Sequence, residues 1–124
     1  MSQQENTKLA LKYMGFLNTG EIDQALALAS DDATFWHPLS GAVGKEELRI
    51  TLKHAFGLML TINNNVLSTT AEADRVSLEL EFKADLSNGR TYENQYHFMF
   101  VIKDGKIHSL KEYVDSGPAK AAFF

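Results

Sequence analysis

Two residues near the end of the chain, His97 in QYHFMF and Glu112 in KEYVD, are of the types that move protons. A carboxylate beside an imidazole is suited to general acid–base work near neutral pH. Earlier in the chain, WHP sets Trp36 and His37 directly before Pro38. The residue before a proline is held extended, which fixes the direction in which the His37 imidazole projects. Phe35 and His37 share one face of such a strand, so His37 points with Phe35 toward a pocket as a base or ligand contact. Trp36 points away, to pack under a helix or at an interface. Each residue also has a plain structural reading. His97 and Glu112 could be a buried pair that holds strand register, and His37 could be tied to a loop carbonyl.

The meeting of His97 with Glu112 follows from turn chemistry. RVSLELEFKADL alternates, with Val76, Leu78, Leu80, Phe82 and Ala84 on one face and Ser77, Glu79, Glu81 and Lys83 on the other. Asn88-Gly89 is a strong two-residue hairpin signal. Such a turn sets Ser87 opposite Arg90, Leu80 opposite His97, Leu78 opposite Met99 and Phe82 opposite Gln95. The same count from Asp104-Gly105 sets His97 opposite Glu112 and Met99 opposite Leu110, while a one-residue slip would turn Glu112 to the other face. One face then carries Val76, Leu78, Leu80, Phe82, Met99, Leu110 and Val114, with Glu93, Gln95, His97 and Glu112 among them. An apolar surface with a few polar groups is the usual make-up of a small-molecule site. The opposite face would carry Tyr96, Phe98, Phe100 and Tyr113, four aromatics directed at water, and predicts a homodimer through the outer face of the sheet. The alternative is that helices cover this second face.

The elements that position these residues are read from periodicity. Ala10, Tyr13, Met14 and Leu17 make one stripe of a first helix, which Gly20 breaks. Ile22, Ala25, Leu26 and Ala29 repeat the spacing in a shorter second helix. DDATFWHP is a short strand ended by Pro38, and Gly41 to Gly44 is a turn. Leu48, Leu52, Ala55, Phe56 and Met59 make a third helix, with Glu46 and Glu47 in its first turn. Phe35, Phe56 and Met59 complete the expected lining of the site. From residue 61 the period is two. The strands are 61–71, RVSLELEFKADL, TYENQYHFMFVIK and IHSLKEYVDS, and 117–124 is a tail. Three helices and then an antiparallel meander make a single α+β domain over residues 1–124.

Composition narrows the classes. The chain has 124 residues, 44% hydrophobic and 23% charged, an ordinary balance for one folded domain. It has no cysteine, which removes disulfides and thiolate chemistry. A net charge of −4 without a basic cluster argues against nucleic acid. MSQQENTK lacks the apolar stretch of a signal peptide and AFGLML is too short to span a bilayer, so a soluble, cytoplasmic protein that binds no membrane is expected. His37, His97 and Glu112 lack the spacing of a metal motif. No serine elbow or phosphate loop is present, and no cofactor or metal is expected. His54 and His108 are expected to be solvated.

KYMGFLNTGEIDQALALASDDATFWHP resembles the N-terminal part of the NTF2-like superfamily, and FVIKDGKIHSLKEYVD resembles its closing hairpin. The likeness covers nearly the whole chain and is nearest to the SnoaL-like and ketosteroid-isomerase-like branches. It implies a cone, in which a curved antiparallel sheet is wrapped by three helices, commonly dimeric, around a deep apolar pocket. The isomerase tyrosine that hydrogen-bonds the substrate oxygen falls on Tyr13. That family's base falls on His37 and its protonated acid on His97, so both of its aspartates are replaced. Glu112 falls where SnoaL-like cyclases and relatives of limonene-epoxide hydrolase carry a carboxylate. Together these imply a cofactor-independent enzyme acting by proton transfer on a small, largely apolar molecule, as an isomerase, cyclase, dehydratase or hydrolase. Glu112 and His97 would be the acid–base pair, with Tyr13 and His37 polarising or positioning the substrate. The alternative is a non-catalytic ligand-binding or dimer-forming module of the same fold.

Overall fold

A computed structural model describes residues 2–124. Helix α1 (Gln3–Asn18) begins at a capping serine, as the Ser2 hydroxyl accepts the Glu5 N–H at 3.1 Å. It ends where Gly20 takes φ +74°, which lets the Glu21 N–H reach the Phe16 carbonyl. Its stripe of Ala10, Tyr13, Met14 and Leu17 is buried throughout. Helix α2 (Ile22–Leu26) is a single turn and a half whose Ile22, Ala25 and Leu26 also enter the core.

Strand β1 (Ala29–His37) runs into a turn and returns as the short strand β2 (Gly41–Gly44). The segment 41–44, expected as a turn, is therefore a strand, because Gly41 at φ +69° reverses the chain tightly enough to pair Phe35 with Val43. Helix α3 (Lys45–Gly57) follows, and Met59 lies beyond its end in a bridge to Leu86. Strands β3 (Asn63–Glu72), β4 (Arg75–Asp85), β5 (Thr91–Lys103) and β6 (Lys106–Val114) form the antiparallel meander. The sheet order is β2-β1-β6-β5-β4-β3, so β1 joins the meander along β6, and this one pairing is parallel. The tail expected at 117–124 is a fourth helix, α4 (Gly117–Phe123), opened by Pro118 in its first turn. It is anchored on the β4–β5 hairpin: Asn88 Nδ2 and Arg90 Nη1 donate to the carbonyls of Ala122 and Ala121. Helices on a six-stranded, unclosed sheet make an α+β architecture, as expected.

Both hairpins depart from the expected register. Asn88-Gly89 is not a two-residue turn. Leu86 and Arg90 close a loop of Ser87, Asn88 and Gly89, with Gly89 at φ +84° and the Leu86 N–H on the Arg90 carbonyl at 2.9 Å. Leu80 therefore faces Tyr96, Leu78 faces Phe98 and Phe82 faces Asn94. The physical reason is that this register buries Tyr92, Phe98, Phe100 and Ile102 on the same face as Val76, Leu78, Leu80 and Phe82. Each of these large apolar side chains gains about 1.5–3 kcal/mol by leaving water. At Asp104-Gly105 the two-residue turn does form, with both residues at positive φ, and Ile102 faces Ile107. His108 is then an extra residue, because the next pair is Val101 with Ser109. Beyond that bulge Phe98 faces Glu112 and His97 faces Tyr113.

Candidate active site

The register decides which polar groups look inward. β4 and β6 present the faces expected, with Leu110, Glu112 and Val114 on the core side, but β5 is inverted between them. His97, Gln95 and Met99 lie on the outer face. His97 is exposed and shares a short hydrogen bond with the Ser77 hydroxyl. The structure does not bring His97 to Glu112, nor Gln95 and Met99 to the inner lining. The outer aromatic patch is corrected for the same reason: Tyr96, Phe98 and Phe100 face inward, and of the four only Tyr113 is outside. Tyr113 packs there against Trp36, ring centroids 5.4 Å apart, and Trp36 is not one of the residues packed on the core.

Glu112 meets a different histidine. Because β1 and β6 run parallel, with Phe35 beside Leu110 and Trp36 beside Lys111, the next step puts His37 beside Glu112 on the inner face. His37 Nε2 lies 3.3 Å from Glu112 Oε2, and each side chain keeps between a quarter and a third of its surface open, 29% and 26%. His37 Nδ1 accepts the Leu39 N–H at 3.1 Å. That bond occupies the lone pair on Nδ1, so the ring's proton sits on Nε2, the nitrogen 3.3 Å from the carboxylate. The pre-proline strand end places the ring, and the backbone just past Pro38 fixes its tautomer.

Burial shapes the protonation of both groups. Glu112 is raised from the usual carboxylate range to about 7 because the inner face desolvates its charge. His37 is lowered, again by burial, and the Leu39 N–H on Nδ1 also disfavours the imidazolium. A carboxyl group near 7 beside a neutral, oriented N–H can accept and return a proton at neutral pH. Of the two, Glu112 is the group that changes protonation near neutral pH, with the neutral His37 ring beside it.

Tyrosines surround the pair. Tyr13 is 2% exposed, stands edge-on to Phe100 at 5.7 Å, and its phenol is pushed up by burial and by the charge of Glu112. Tyr96, missed as an inner residue by sequence reasoning, sits diagonally across from Glu112. The signal that finds it is in β5 itself: Tyr92, Tyr96, Phe98, Phe100 and Ile102 make a far more apolar row than Glu93, Gln95, His97, Met99 and Val101. Of the other expected lining residues, Phe35, Leu78, Leu80, Phe82 and Leu110 are buried core, whereas Val114, Phe56 and Met59 are half-buried. Phe56 reaches over the sheet to Phe82, centroids 6.4 Å apart. A cleft of about 790 Å³ opens beside Asn63, Glu81, Phe82, Asn94, Gln95 and Asp115, and none of His37, Glu112 and Tyr96 lines it. Among the described residues no cluster of three metal-ligating side chains is present, and no helix is long and apolar enough to cross a membrane.

Solved structures share this fold. PrhC from Penicillium brasilianum superposes with a TM-score of 0.86 at 16% identity, over 96% of this chain and 85% of that one. TerC, co-crystallised with polyporic acid, gives 0.82 at 17% identity over 95% and 97%. An NTF2-like protein from Anabaena variabilis gives 0.78 at 25% identity over 95% and 96%. No curated protein matches the chain by sequence. The sequence profile of the SnoaL-like domain matches residues 10–110, most of the chain, and the protein belongs to the SnoaL-like family within the NTF2-like superfamily.

Proposed function

We propose that the protein is a cofactor-independent acid–base enzyme. In this reading a small, largely apolar molecule enters between α3 and the inner face of the sheet, and Glu112 takes a proton from a carbon next to a carbonyl. The C–H electron pair moves onto the carbonyl oxygen as an enolate forms, and the proton returns from Glu112 to complete an isomerisation, cyclisation or elimination. His37, with Nε2 3.3 Å from the carboxylate, would steady it as the proton moves. The observation that carries the reading is the His37–Glu112 contact at 3.3 Å, on a face where burial holds the carboxyl group near 7. TerC, crystallised with polyporic acid, supports a flat carbonyl compound as the ligand type on this fold.

Proton abstraction can be measured without the natural substrate. In D2O, the α-protons of planar ketones, 1-indanone among them, should exchange faster in the presence of the protein. Glu112→Gln should remove that acceleration, a loss of about 10²–10⁴-fold. Saturable binding with no exchange, equal in wild type and Glu112→Gln, would make the domain a binding module instead. Homodimerisation remains part of the proposal through what is left on the outer face, the Trp36–Tyr113 pair. Trp36→Glu should then turn a dimer into a monomer in light scattering.

A further inference from the structure

The hydrogen bonds around Tyr96 have a direction. Asn94 Oδ1 accepts the Gln95 N–H at 2.9 Å, and Asn94 Nδ2 donates to the Asp115 carbonyl at 2.8 Å, a group that can only accept. These two contacts fix which end of the amide is nitrogen. The second hydrogen of Asn94 Nδ2 therefore points at the Tyr92 hydroxyl, 2.9 Å away, and the Tyr92 oxygen acts as acceptor. Tyr92 Oη lies 2.5 Å from Tyr96 Oη. If Tyr96 donated along that contact, the Tyr92 oxygen would accept twice and its own proton would be stranded in a residue only 3% exposed. With Tyr92 donating, every group in the relay is satisfied. The Tyr96 proton is left over, and it meets no partner among the described residues.

That leftover proton sits where a ligand can reach it. Tyr96 is half-buried where Tyr13 is 2% exposed, and its ring is held by parallel stacking on Phe98 at 5.4 Å and an edge contact with Phe82 at 6.0 Å. The Tyr13 hydroxyl also meets no side-chain or backbone partner among the described residues, but no relay aims its proton. Tyr96 pairs with Val114 and Phe98 with Glu112, so the phenol and the carboxylate are diagonal neighbours on one face. Burial and the charge of Glu112 both keep the phenol protonated.

We propose that Tyr96 donates the hydrogen bond that holds the ligand's carbonyl oxygen, its proton aimed by the Asn94–Tyr92 relay. The inference rests on the acid–base reading of Glu112 and adds the group that receives the negative charge. Tyr13, the tyrosine implied by family likeness, would instead be a wall of the core. The substrate class is correspondingly narrower: a flat ketone whose acidic carbon faces Glu112 and whose oxygen faces β5.

The test uses the whole protein with 1-indanone, reading the bound carbonyl stretch by infrared spectroscopy and α-exchange in D2O by NMR. The stretch should move to lower frequency on binding. Tyr96→Phe should abolish that shift and slow exchange about 10²-fold, while Tyr13→Phe should keep the shift. Tyr92→Phe, which leaves Tyr96 intact but undirected, should weaken the shift. Glu112→Gln should keep the shift and lose exchange. An unchanged stretch in Tyr96→Phe, or its loss in Tyr13→Phe, overturns the assignment and leaves the acid–base reading standing. Absence of saturable indanone binding in the wild type overturns both.

Discussion

The two long helices meet the sheet in opposite ways. Along α1, Ala10, Tyr13, Met14 and Leu17 are 0–7% exposed, and the helix closes on the sheet without a gap. Along α3 no residue is fully buried, although Leu48, Leu52, Ala55 and Phe56 form as regular a stripe. What ties α3 down is largely polar: Arg49 and Lys53 both reach Asp23 of α2, and Lys45 Nζ donates to the Ala29 carbonyl. Exposed pairs of this kind contribute little stability. The apolar stripe of α3 still packs on the core through Leu48, Leu52 and Phe56, but each of these stays partly exposed. A helix buried along its whole stripe builds the core, whereas one that keeps its stripe partly open is the side on which the proposed function would admit a ligand.

Two measurements test that contrast, and a third serves as its control. Met14→Ala on α1 removes a fully buried side chain and should cost about 2–5 kcal/mol in urea unfolding. Leu52→Ala on α3 should cost only about 1 kcal/mol, and equal costs would show that the two helices pack alike. The second concerns pH. Glu112 is raised to about 7 in the folded protein from an ordinary 4.5, so the folded state binds the extra proton and loses stability as pH rises through that window. His37, being lowered, works in the opposite sense below its ordinary 6.5. Glu112→Gln should remove the decline and gain up to about 3 kcal/mol on wild type between pH 4 and pH 8. A parallel pH profile for the two proteins would mean that the open side of α3 hydrates the carboxylate fully. The smallest effect is expected outside the comparison altogether. His97→Gln on the outer face should change stability by no more than about 0.5 kcal/mol and leave ketone exchange untouched.

How much of this was legible depended on which force set each feature. The stripes of α1 and α3 and the alternation of β4 are written in burial periodicity, and they led directly to the correct faces. Glu112 was placed inward by a count that contained two errors. The Asn88-Gly89 loop holds one residue more than the dipeptide suggested, and the His108 bulge adds another, so the shifts cancel at β6 and survive only on β5. Turn dipeptides report a local preference, and here the burial of Tyr92, Phe98 and Phe100 outweighed it. The His37–Glu112 meeting was hidden for another reason. It depends on a parallel pairing between β1 and β6, strands about seventy residues apart in sequence, and nothing local encodes that choice. Sequence reasoning placed both residues on the inner face, gave Glu112 the wrong histidine and gave His37 no carboxylate at all.

The bulge at His108 separates two jobs that a plain hairpin would join. In an unbroken ladder the turn alone would dictate which way every side chain of β6 points, so any change at residues 104–105 would propagate to residue 112. The turn sets Ile102 opposite Ile107, and the one supernumerary residue then sets the parity of everything beyond it, with Val101 opposite Ser109. Deleting His108 leaves Glu112 opposite Phe98 and is a quiet edit, whereas a ladder that took His108 in as the partner of Val101 would exchange Glu112 for Tyr113 at the inner wall.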